Sequence, residues 1–319
     1  MKAKTRLLAL IVLVAPCALF AQNYPTKPIR LVVGFTPGGG VDINARLLAP
    51  KLSEYLGQQV IVENRPGAGT NIANEFVAHA APDGYTLLIN TAAVVINMSL
   101  YKKLNFDTLR DFAAVSMFSE SPNVLVVHAS VPVKNVKELI ALARSRPGQL
   151  NFSSAGSGST QHLSGVLFGL RTKTNIVHVP YRGSAPSLTA LIGGEVDMSF
   201  ANIPAIYSHV KSGRLRPLAL TGPKRSDQLP GVPTMKESGV NMDVVVWYGV
   251  LAPSATPRDI INRLSESVAK AAHSPDIKQR LIDQGAEPVG NTSEEFAKQL
   301  RAEAATWAEV VKSSGAKAD

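Results

Sequence analysis

Short apolar, β-branched runs alternate with helical patterns along most of this chain, and Pro or Gly marks the junctions between them. The run at 29–35 (IRLVVGF) reads as a strand, ends in Thr36-Pro37-Gly38-Gly39-Gly40 and leads into a helix over 42–55. A second strand at 59–63, a Gly-rich turn at 64–69, a helix over 71–80 and a third strand at 86–91 repeat the rhythm. Parallel neighbours in a sheet need a crossover, usually helical, so this alternation constrains the fold to α/β with a mostly parallel sheet.

A second set follows the first. Strands are expected at 124–128, 150–153, 176–179, 196–200 and 215–220, with helices at 136–145, 160–170, 185–192 and 204–211. The segment 244–252 (VVVWYGVLA) is strongly β-like, and its pair Trp247 and Tyr248 reads as core. Beyond it only helices are expected, at 257–272, 275–284 and 293–313. Two α/β units and a helical tail predict two lobes with short links and a ligand between them, because ligands of α/β sheets sit beyond the carboxyl ends of strands. The division expected is 22–122 with 248–319 as one lobe and 123–247 as the other. There is no internal repeat and no low-complexity stretch.

The first 21 residues read as an export signal. Lys2, Lys4 and Arg6 precede an apolar run over 7–20, and Ala21 offers a small residue for cleavage before Gln22. The run falls short of the roughly 20 residues of a spanning helix. The lone cysteine, Cys17, lies inside it and follows Pro16, where a lipoprotein signal places Gly or Ala. Cleavage leaves 319 − 21 = 298 residues without a thiol, hence no disulfide, no cysteine–metal site and no thiol nucleophile. It also lowers the net charge from +9 to (33 − 3) − 24 = +6. That surplus is dispersed, with no block of like charge, so nucleic-acid binding is not supported. The expected location is the periplasm.

Two loops carry the chemistry. In Thr36–Asp42 (TPGGGVD), glycines let the backbone approach a ligand, and the helix start just beyond offers unpaired N–H groups to a carboxylate or phosphate. Asp42 is expected as the N-cap. No Gly-Lys-Ser/Thr follows, which excludes a nucleotide phosphate loop. In 153–162 (SSAGSGSTQH), Gly156, Gly158 and the hydroxyls of Ser157 and Thr160 form a second neutral cradle, with His162 as a hydrogen-bonding group. The serines lack the Gly-x-Ser-x-Gly spacing. None of the six histidines pairs at i,i+2 or i,i+4, so neither a hydrolase nor a zinc site has local support.

In order and spacing, several segments resemble the receptor family of tripartite tricarboxylate transporters, also called the Bug family. They are YPTKPIR at 24–30, FTPGGGVD at 35–42, VENRPGAG at 62–69, APDGYT at 81–86, SSAGSGS at 153–159, HVPYRG at 178–183, GEVD at 194–197, GVPT at 231–234 and WYGVLAP at 247–253. The resemblance implies a two-lobed periplasmic binding protein of type II-like form, with two mixed sheets flanked by helices and a hinged cleft. It implies no enzymatic activity, no cofactor and no metal. It further implies that the two loops grip a ligand carboxylate, partly through water, using Phe35, Pro37, Gly38, Gly39, Asp42, Gly156, Ser157, Gly158, Thr160 and His162. Thr91, Ala92, Tyr181, Gly183, Phe200 and Ala201 complete the implied site. Val41, the stretch Ala92-Ala93-Val94-Val95 and Ala201 stand where the family often has polar residues. The ligand expected is therefore a mono- or dicarboxylate with an apolar or aromatic body. A monomer is expected, delivering ligand to membrane transporter subunits or, alternatively, presenting it to a sensor kinase.

Overall fold

The computed structural model describes residues 24–318; the expected signal, Cys17 and the cleavage point at Ala21 lie outside them. Strands β1 (Ile29–Val33), β2 (Val60–Asn64) and β3 (Thr86–Asn90) are parallel, with β1 in the middle. Helix α1 (Gly40–Leu56) connects β1 to β2, and α2 (Asn71–Ala78) connects β2 to β3. Val41, Ala45, Leu48, Leu52 and Leu56 recur every three or four residues along α1 and are all buried, so one stripe of the helix packs on the sheet. Gly57, at φ +73, ends the helix in the left-handed conformation, its N–H donating to Ser53 O.

After β3 the chain forms α3 (Ala93–Leu100) and the short α4 (Thr108–Asp111), then enters β4 (Phe112–His128), a strand of 17 residues. Its first part, 112–122, pairs antiparallel with β9 (Val245–Pro253). Its second part pairs antiparallel with β7 (Met198–Asn202) and β8 (Leu215–Leu220). Parallel strands β5 (Asn151–Ser154) and β6 (Val177–Pro180) extend that second sheet beyond β7. Helices α5 (Val136–Ser145), α6 (Thr160–Thr172), α7 (Ser184–Ile192) and α8 (Ile203–Lys211) flank it. The tail returns to the first sheet as α9 (Arg258–His273), α10 (Pro275–Asp283) and α11 (Ser293–Ser314), with a two-residue strand β10 (Glu287–Pro288) added to β4.

The fold is α/β with mixed sheets, two-lobed as expected. Two expectations need correction. The sheets are not mostly parallel, because β4 and β9 run antiparallel to their neighbours where the chain crosses between lobes. Strand pairing also continues past 252, in β10.

Period-two alternation decides what each crossing strand buries. Along β4, Leu125 and Val127 join one core while Val124 and Val126 join another on the opposite face. Along β9, Trp247 and Leu251 face the α3–α11 side, whereas Tyr248, Val250 and Ala252 face α1 and α9. Trp247 is core as expected, edge-on to Phe296 at 5.2 Å, with its Nε1–H donating to Glu303. One apolar cluster runs through both lobes, from Val32 and Leu88 to Phe152, Phe168 and Phe200.

Candidate ligand-binding site

Helices α1, α6, α7 and α8 all begin at the carboxyl end of a strand, and the starts of the first three, with the residue before α8, line one small cavity between the lobes. Gly39, Gly40 and Val41 of α1, Ser159, Thr160 and Gln161 of α6, Ser184 of α7 and Asn202, the residue before α8, line it. Thr91, just after β3, Phe35, and Asn123, Val246 and Tyr248 of the crossing strands complete the wall. The first N–H groups of a helix lack intrahelical partners, and the peptide dipoles add partial positive charge there. Gly39, Gly183 and Asn202 cap α1, α7 and α8 without a capping hydrogen bond from their own side chains. No side chain on this wall is charged.

A buried donor points the same way. Asn123 is fully buried and its Nδ2 has no hydrogen-bond partner, while its Oδ1 accepts from Asn202 Nδ2 at 3.3 Å. Asn202 Nδ2 also donates to the Tyr248 hydroxyl at 3.2 Å. Burial pushes that phenol up to about 12, so it stays protonated. An unpaired buried donor costs about 1–3 kcal/mol unless a ligand or water accepts from it.

The loops that frame the cavity are held mainly by side chains. Gly38, at φ +83, donates its N–H to Asp42 Oδ2 at 2.9 Å. Arg46 Nε donates to the same oxygen at 2.9 Å, and Asn64 Nδ2 donates to Oδ1 at 2.9 Å and to Phe35 O at 3.1 Å. Burial raises the Asp42 carboxyl, but the Arg46, Gly38 and Asn64 donors outweigh it and hold it below its ordinary value. Asp42 is therefore not the N-cap expected from sequence. Gly39 takes that place, and Asp42 reaches back from the first turn to fix the loop. In the second loop Ala155 N–H donates to Gln161 Oε1 at 2.8 Å, Gly156 N–H to Ser154 Oγ at 3.1 Å and Gly158 N–H to His162 Nδ1 at 3.2 Å. The N–H groups of Gly38, Gly156 and Gly158 are thus engaged inside the protein, and the helix starts behind them face the cavity.

Of the residues singled out from sequence, Phe35, Gly39, Thr91 and Thr160 lie on the small cavity and Gly38 on its neighbour. Pro37, Asp42, Gly156, Ser157, Gly158, His162, Tyr181 and Gly183 belong to the supporting loops and line neither. Ala92 turns into the core at the start of α3. Phe200 packs on Phe168 at 6.1 Å in the lobe-spanning core, and Ala201 faces the opposite core opposite Val124. Gly40, Asn123, Gln161, Ser184, Asn202, Val246 and Tyr248 line the cavity without having been singled out as site residues. An adjoining cavity of about 240 Å³ shares Gly39, Gly40, Ser184, Asn202 and Tyr248 with the first and continues past Ile43, Leu188, Pro204, Ala205 and Ala286. It too has no charged lining residue. Across the rim the lobes touch: a Cβ on Gly183 would run into Thr36 Oγ1, and one on Gly158 into Asn97 Oδ1. Among the described residues no group of three or more His, Cys, Asp or Glu is placed to hold a metal.

The profile of the tripartite tricarboxylate transporter family receptors matches residues 44–316. The chain belongs to this receptor family. As a family member it is 39% identical to protein BugT of Bordetella pertussis, over 98% of each chain. The structure of R. palustris Rpa4515 with adipate has a TM-score of 0.88 and 39% identity, covering 93% of this chain and 100% of that one. MatC (Rpa3494) from Rhodopseudomonas palustris with bound malate has a TM-score of 0.85 and 31% identity, covering 90% and 100%. These receptors are periplasmic solute-binding proteins rather than enzymes. Among the described residues no helix is long and apolar enough to cross a membrane.

Proposed function

We propose that this receptor captures a small carboxylate between lobes 22–122 plus 248–319 and 123–247, and delivers it to membrane transporter subunits. The observation that carries the reading is the convergence of four helix starts and the unpartnered Asn123 Nδ2 on a cavity without charged side chains. Dipoles of this kind hold an anion without a counter-ion. An α-ammonium group finds no carboxylate there, since both oxygens of Asp42 are engaged. The small cavity, about 30 Å³, fits one carboxylate end, and the adjoining 240 Å³ cavity takes the body. Ile43, Leu188, Pro204 and Ala205 make that second space largely apolar, which disfavours further charges without partners. The ligand is accordingly a mono- or dicarboxylate with an aliphatic or aromatic body. The adipate and malate of the solved relatives support the class.

Membership of a transporter receptor family supports delivery; in this reading the exported protein begins near Gln22 and works as a monomer in the periplasm. Calorimetry of the mature protein against adipate, benzoate, malate, glutamate and citrate tests the ligand class. Adipate or benzoate should bind tightest; tightest binding of citrate or glutamate overturns the reading. N-terminal sequencing of the periplasmic fraction should start at Gln22, and recovery with washed membranes would contradict export.

A further inference from the structure

The turn that aims the start of α6 at the cavity rests on a pair of stacked histidines. His162, in the first turn of α6, is buried, and its ring lies 3.8 Å from that of His178 on β6, with 19° between the planes. Phe152 of β5 flanks both, 5.0 Å from His178 and 6.5 Å from His162. The pair reaches the loop at two points. Gly158 N–H donates to His162 Nδ1 at 3.2 Å, and His178 Nε2 lies 2.6 Å from Ser154 Oγ, which in turn accepts from Gly156 N–H at 3.1 Å. Gly156 and Gly158 sit at φ +119 and +85, so the turn between them has a backbone shape that these two contacts help to select.

An N–H donor requires a lone pair at its acceptor, so Nδ1 of His162 carries no proton when this bond exists. We propose that His162 is a positioning residue of the carboxylate site: its unprotonated Nδ1 holds Gly158 and fixes the turn that presents Ser159–Gln161 to the cavity. The proposal rests on the anion-binding reading above. Burial pushes His178 down to about 4, so the ring stacked on His162 is neutral near pH 7.

The test uses the mature protein with adipate as the probe, by calorimetry at pH 7.5. His162→Asn places an amide oxygen near the position of Nδ1; His162→Leu removes the acceptor. Leucine should weaken binding at least tenfold, and asparagine should restore it to within about threefold of wild type. Wild-type affinity in His162→Leu, or no recovery in His162→Asn, overturns the proposal. Nitrogen chemical shifts of His162 give an arm independent of ligand: a proton on Nδ1 at pH 7.5 overturns the positioning role even if adipate binds. An Nδ1 acceptor in a protein that binds no carboxylate defeats the anion-binding reading, and with it any effect on affinity.

Discussion

At the scale of single residues, the site depends on how close backbone and side chain can come. A Cβ on Gly40 would sit 2.6 Å from the Tyr248 hydroxyl and 3.3 Å from Asn202 Oδ1, so alanine there intrudes on the wall itself. Helix position and a φ outside the left-handed region make alanine acceptable to the backbone. Gly40→Ala should therefore weaken carboxylate binding at least tenfold, about 1.4 kcal/mol, while the melting temperature moves by only a few degrees. Gly39 is more tolerant, its nearest neighbours being Thr36 O at 3.7 Å and Ser184 Oγ at 3.8 Å. Asn123→Asp keeps the shape and the acceptor for Asn202 but turns the unpaired donor into a negative charge. Titration should show carboxylate affinity lost by more than tenfold; unchanged affinity would place the anion elsewhere. The sequence pointed to the loops that frame the cavity because glycines and hydroxyls before a helix have a local physical meaning. Asn123, Ser184, Asn202 and Tyr248 had no such signal, since four separate segments meet only through strand order. Tyr248 shows why: core packing and cavity lining coincide in one side chain, whose ring packs in the core while its hydroxyl reaches Asn202.

At the scale of elements, α1 shows what positions a helix start that no side chain caps. Asp42 ties the preceding loop, β2 through Asn64, and its own helix through Arg46. Asp42→Ala would leave the Gly38 N–H, the half-buried Asn64 amide and the Arg46 guanidinium without their buried acceptor, and should cost about 1–3 kcal/mol in chemical denaturation. Because the folded carboxyl lies below its ordinary value, its contribution is present above that value and is lost as pH falls through the folded one. The wild type should accordingly lose more stability than Asp42→Ala on titration below pH 4. Most elements were readable to within a residue or two, including α5 and β8, where periodicity is clean. The first half of β4 was not, because Ser116, Ser119, Glu120 and Ser121 interrupt its apolar pattern. Those buried serines are paired across the fold: Ser119 Oγ donates to Asn44 Oδ1 at 2.7 Å, and Ser116 Oγ to Asn291 O at 2.7 Å. Helix α3 was also missed. Its AVVINMSL is β-branched and apolar, and only burial on nearly every side makes it a helix.

At the scale of the whole molecule, the lobes share a core and a strand, so they should not melt separately. The cluster that contains Val32 and Leu88 also contains Phe152 and Phe200. Scanning calorimetry should show one transition, raised by roughly 2.7 kcal/mol of stabilisation when a ligand is present at a hundred times its dissociation constant. Two resolved transitions would contradict the shared core. On the side of β10 the lobes are also joined by the Gln228 side chain, which donates to Ile282 O and Asp283 O at the end of α10.

The uninterrupted β4 has a mechanical consequence. A loop hinge swings freely, whereas a strand that is laddered on both sides of the crossing can only flex and twist. Its register with β9 slips between Ala114 and Ser116 and between Met117 and Ser119, and its register with β8 slips between Leu125 and Val126. Such irregularities bend a strand and increase its twist locally, so they set the compliance of the joint on either side of Pro122. The receptor then behaves as a flexure with a restoring force, and the strand ladder helps set how far its jaws part and how readily they spring back.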